Sequence, residues 1–134
     1  MTAGTIVCDV TDPYEGHAAA AFAYALGTRL GLRVVLAHVG DRPDEALAES
    51  LGAGVELRLA SGDHTEALAR LAAEEGAYLI VVGSRPVGLG GRNLRSTLVR
   101  DLEAATPVPV VVAPPPTRRR GRRRLDRAAY AETP

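Results

Sequence analysis

Five short apolar runs alternate along this chain with stretches whose apolar residues recur every three or four positions. Thr5 to Val10 is apolar and β-branched, halts at Thr11, Asp12 and Pro13, and reads as a buried strand. Tyr14 to Leu30 has helical spacing, with Phe22, Leu26 and Leu30 one turn apart, helix-favouring alanines between them, and Gly31 placed to end it. Leu32 to Val39 is a second strand. Asp41 to Leu51, with a proline near its start and a stripe of Ala46, Leu47 and Leu51, predicts a helix. Val55 to Leu59 alternates Val, Leu and Leu with Glu and Arg, as a sheet-edge strand exposed on one face does. In Asp63 to Glu75, Ala67, Leu68 and Leu71 form one helical face, Asp63 or Ser61 can cap the start, and Gly76 can end it. Tyr78 to Val82 is an uninterrupted apolar strand, Ser96 to Ala105 a helix, and Val108 to Val112 the last strand.

Five strands alternating with four helices predict an α/β fold. Parallel neighbours need crossovers, and strands buried on both faces read as continuous apolar runs, so the expected architecture is an open parallel five-stranded, Rossmann-like sheet with helices on both faces. The crossover from strand two to strand three is short, spanning only Gly40 to Gly54.

With 134 residues and 46% apolar content, the chain fits a single domain with one core. Its one cysteine, Cys8, lies inside the first apolar run, so no intrachain disulfide is available and a reducing compartment is expected. No basic segment followed by an apolar one opens the sequence, and no run approaches the roughly 18 apolar residues of a membrane span, so the expected location is the cytoplasm, with no membrane partner. A formal net charge of zero conceals an asymmetry. Residues 1–113 carry 9 Arg against 14 acidic groups, a net −5, whereas residues 114–134 carry 7 Arg against 2, a net +5. That second segment combines a proline run with a charge block and too little apolar surface to offset ordering, so residues 1–113 are predicted to be the domain and 114–134 a disordered tail.

Candidate chemistry concentrates between Val81 and Val112, where a strand runs through Gly83, Gly88, Gly90 and Gly91 into a helix start, the arrangement in which open α/β sheets hold phosphates. His17, His38 and His64 lie in different elements with no metal spacing, and none is read as a ligand. Ser84 and Thr97 have no general base beside them in sequence, so no enzymatic activity is indicated. The arginines between Arg118 and Arg127 would attract polyanions, but no aromatic residue is interleaved there for base stacking.

The ordered segments resemble the universal stress protein family over roughly residues 4 to 113. Cys8-Asp9-Val10-Thr11 resembles the turn that ends the family's first strand, with its glycine lost, and His38-Val39 matches the end of the second. Gly62-Asp63-His64-Thr65-Glu66-Ala67 is similar to the approach to the third helix, Ile80 to Arg85 to the end of the fourth strand, and Pro107 to Val112 to the fifth. The resemblance implies an adenine nucleotide alpha hydrolase-like sheet of strand order 3-2-1-4-5, a homodimer through Val108 to Val112, and ATP as the ligand. It also implies a glycine pattern in which Gly83 fills the first position, Pro86 the second, Ser96 the third and Thr97 the hydroxyl position. The spacing is intact, but two of three glycines are replaced. Proline has no N–H and a fixed φ, while a serine side chain enters space a phosphate would occupy.

By resemblance, Asp9 and Thr11 at the end of strand one would meet the ribose, and Val39 would line the adenine pocket. Gly83, Ser84, Arg85, Ser96, Thr97 and the Leu98 N–H would meet phosphates. The expected function is a dimeric binding or regulatory module of the stress response with nucleotide binding weakened or lost. Two alternatives stay open: an ATP-binding switch in which Arg85, Arg92 or Arg95 replaces the lost backbone donors, and a nucleic-acid-associated protein working through its arginine-rich tail.

Overall fold

The strands have more to cover than their own neighbours, because every one of them except the two outermost is flanked on both edges and both faces. The computed structural model describes residues 4–52, 54–84 and 94–115. Its elements are β1 (Thr5–Asp9), α1 (Pro13–Leu30), β2 (Arg33–Val39), α2 (Glu45–Leu51), β3 (Val55–Ala60), α3 (His64–Glu75), β4 (Ala77–Val82), α4 (Leu94–Ala105) and β5 (Val110–Val112). All four strand pairings are parallel, and the sheet order is β3-β2-β1-β4-β5, the expected 3-2-1-4-5.

Local chemistry sets the helix limits. Asp12 caps α1 by accepting the Tyr14 N–H at 2.8 Å, Pro13 follows at the first turn where its missing N–H costs nothing, and Gly31 ends the helix at φ 72°. Asp63 caps α3 through the Glu66 N–H at 3.0 Å, and Gly76 ends it at φ 63°.

Alternation along the strands divides the interior into two cores. Ile6, Cys8, Val34, Leu36 and Val81 face the small residues Ala19, Ala20 and Ala23 of α1 and Leu47 of α2. Val7, Val35, Ala37, Ile80 and Val82 face Leu68, Leu71 and Ala72 of α3 and Leu102 of α4. On the outer side of the second core, Glu75 of α3, its side chain only 10% exposed, pairs with Arg33 of β2 at 2.8 Å and with Arg58 of β3. The edge strand β3 is thereby tied to α3 by charge where apolar cover runs thin.

Three boundaries differ from the sequence expectation by two residues or more, the others by one at most. β5 begins at Val110 rather than Val108, because Pro107 and Pro109 bring no N–H to a ladder, although Ile80 N–H still donates to the Pro109 carbonyl at 2.9 Å. α2 begins at Glu45 rather than Asp41, since Asp44 takes the cap position and accepts from Leu47 N–H. α4 begins at Leu94, so Ser96 lies inside its first turn instead of at its cap. Residues 116–134, most of the predicted tail, lie outside the described residues.

Candidate functional site

In a parallel sheet every carboxyl end lies along one edge, and a crevice opens where successive crossovers leave on opposite faces. Here that point falls between β1 and β4. α1 leaves β1 toward the first core, α4 leaves β4 toward the second, and Asp9 is the last residue of β1.

Asp9 is only 5% exposed yet charged, so its partners decide whether it can stay there. Its Oδ1 accepts from the Thr11 N–H at 3.1 Å and from the Thr11 hydroxyl at 2.6 Å, while its Oδ2 lies 3.0 Å from His64 Nε2 at the start of α3. Burial alone would raise the carboxyl pKa. The hydrogen bond and charge of His64, followed by the two Thr11 bonds, outweigh it and hold Asp9 below the usual carboxylate range. Thr11 also reaches β2, its hydroxyl oxygen accepting the Val39 N–H at 3.0 Å. Three sequence candidates, Asp9, Thr11 and Val39, thus form one connected cluster, closed by a histidine that sequence reasoning set aside.

At the neighbouring strand end, Gly83 is buried and sits against α1. A Cβ there would stand 2.7 Å from Glu15 Cβ and 3.0 Å from the Glu15 carbonyl oxygen, so close packing by itself requires glycine at this position. Glu15, 2% exposed, is a second residue of this region that the sequence reading did not single out. Ser84 donates its hydroxyl to the Ala113 carbonyl at 2.7 Å and so straps the end of β4 to the chain just after β5.

Arg85, Pro86 and Arg92, with the glycines at 88, 90 and 91, lie outside the described residues. Thr97 is exposed in α4, and Leu98 packs its side chain into the second core. In a helix beginning at Leu94, the helical N–H groups without an intrahelical acceptor are those of residues 94–96. The Leu98 N–H, expected to meet a phosphate, therefore falls in the helical ladder. Among the other histidines, His38 is 8% exposed against Gly40, and His17 on α1 bonds Asp44 at 3.0 Å, linking α1 to the cap of α2. Beside Asp9, the Cys8 thiol is pushed well up by burial and then by the Asp9 charge, which disfavours the thiolate.

The universal stress protein family model matches residues 41–114, from the short crossover through β5. The chain belongs to the universal stress protein family. Solved members share its fold at low sequence identity. A universal stress protein from Archaeoglobus fulgidus superposes with a TM-score of 0.65 at 20% identity, over 85% of this chain and 100% of that one. The universal stress protein from the same organism in complex with dAMP gives 0.63 at 19% identity, with the same coverage. UspA from Lactobacillus plantarum gives 0.62 at 16%, over 85% and 99%. No curated protein matches the sequence. In this family member, among the described residues, no helix is long and apolar enough to cross a membrane.

Proposed function

We propose that this universal stress protein is a dimeric regulatory module of the stress response whose nucleotide cleft is weakened. The observation that carries the reading is the internal satisfaction of the cleft floor. Both Asp9 oxygens and the Val39 N–H, groups that would otherwise recognise a nucleoside, are already bonded within the Thr11 and His64 cluster. A ligand gains only the difference between its own hydrogen bonds and those it replaces. Pro86 and Ser96, standing where the family pattern has glycines, act in the same direction by removing a backbone donor and adding a side chain.

Residual nucleotide would take the same cleft, with Asp9 and Thr11 toward the ribose and Val39 beside the base. Gly83, Ser84, Arg85, Ser96 and Thr97 would lie toward the phosphates. A solved relative in complex with dAMP and a second in complex with cAMP support adenine nucleotides as the ligand class. The dimer reading rests on β5, a free edge of three valines beside an open apolar groove lined by Tyr78, Leu79, Pro107 and Val108.

Calorimetry of the full chain with ATP and magnesium tests the weakened cleft. Weak binding is expected, with tighter binding in the Pro86→Gly/Ser96→Gly double variant. Low-micromolar affinity in the unaltered protein, or adenine nucleotide co-purifying with it, would favour the ATP-switch reading instead. The co-purification signal near 260 nm is easily read because the chain has no tryptophan.

A further inference from the structure

We infer that His64 is a specificity-determining residue of the cleft: its ring holds the Asp9 oxygen that a ligand's vicinal diol requires, so diol-bearing nucleosides bind only by displacing it. This inference rests on the assignment of the cleft to nucleotides. Its basis is the count of acceptor sites on one carboxylate together with the exposure of the groups around it.

Each carboxylate oxygen offers about two lone-pair sites. On Oδ1 both are taken, by the Thr11 N–H and the Thr11 hydroxyl, and Thr11 is itself anchored to β2 through Val39. These bonds join residues two apart at the end of β1, and opening them would also free the Thr11 hydroxyl that accepts the Val39 N–H of β2. Of the two sites on Oδ2, His64 Nε2 takes one at 3.0 Å, which leaves a single acceptor site for a ligand. Two adjacent hydroxyls need two such sites, and the second becomes available only when His64 leaves.

Exposure points the same way. The Asp9 side chain is 3% exposed, whereas that of His64 is 37% exposed, so of the bonded pair it is the histidine that reaches solvent. Asp9 is fixed in a central strand with β2 on one side and β4 on the other. His64 is the first residue of α3, after the Asp63 cap, where a rotamer change disturbs no helical hydrogen bond. The movable partner is therefore the histidine.

The contact is charge-assisted when the ring is protonated, and such bonds count for more than neutral ones. Removing the ring should raise affinity for AMP about tenfold, the order expected for one competing hydrogen bond to a charged group. The gain should be absent for 2′,3′-dideoxy-AMP, which has no diol to place on Oδ2.

The experiment is calorimetric titration of the full chain and its His64→Ala variant with AMP and with the dideoxy analogue, foldedness being checked by circular dichroism. A gain confined to AMP supports the inference; no gain, or an equal gain for both ligands, overturns it. If His64→Ala does not fold, titration of the unaltered protein with AMP decides the matter by NMR, since only three histidines contribute ring signals. The His64 signal should then move in step with occupancy. AMP binding that leaves it in place, or no detectable AMP binding, overturns the inference. The weakened-cleft reading fails separately, through low-micromolar affinity in the unaltered protein whatever the variant does.

Discussion

Asp9 shows how a single buried carboxylate links stability to chemistry. Its pKa is held below the ordinary value because, although burial raises it, the His64 and Thr11 contacts lower it further than burial lifts it. A folded-state pKa below the unfolded one, about 3.9, means that Asp9 contributes its full stability above that pH and loses it as the pH falls toward the folded value. Asp9→Asn has no such proton to bind. The acid limb of a urea-midpoint series should therefore be shallower in that variant than in the unaltered protein below about pH 4, and parallel limbs would reject the coupling. His64 was invisible to sequence reasoning as a partner because 55 positions separate it from Asp9. One signal did exist: both residues stand where parallel strands end, Asp9 closing β1 and His64 following β3, and parallel topology brings those ends to one edge.

At the scale of elements, small residues set how closely α1 lies on the sheet. A Cβ at Gly16 would come within 3.1 Å of Val10 backbone atoms, and one at Gly27 within 2.8 Å of Val34 Cγ2 and 3.0 Å of the Leu32 carbonyl oxygen. Gly27 therefore opposes two effects. Helix propensity favours Gly27→Ala by about 1 kcal/mol, whereas overpacking against a stiff β-branched side chain and a backbone carbonyl costs typically 1–3 kcal/mol. The clash should win, so chemical denaturation should show the variant destabilised, and a stabilised one would mean that α1 can lift without loss. The helices themselves were readable because caps and periodicity are local: Asp63, Gly31 and Gly76 act as their sequence positions predict, while Asp12, read as part of a turn, also caps α1. The start of α4 was not readable, since serine, threonine and arginine between residues 94 and 97 carry no unique cap signal.

For the whole molecule, the sheet order leaves β3 and β5 as edges, and they are managed differently. β3 presents Glu56 and Arg58, charges that discourage pairing, and its Arg58 is engaged by Glu74 and Glu75. β5 presents valines, with Val112 44% exposed. The proposed dimer follows from that contrast. Sedimentation of the unaltered chain should report a dimer, and Val112→Arg, which places charge on the free edge, should shift it toward monomer; a monomeric unaltered chain would reject the β5 interface. By itself the sequence determined the kind and order of the elements, the C-terminal stop of α1, the caps of α3 and the family, because periodicity, capping and apolar runs are written in neighbouring residues. Only the tertiary structure decided that His64 closes on Asp9, that Glu15 accounts for Gly83 and that Ser84 is a strap to Ala113, because each pairing joins distant segments whose meeting depends on strand order, register and the face to which each side chain points.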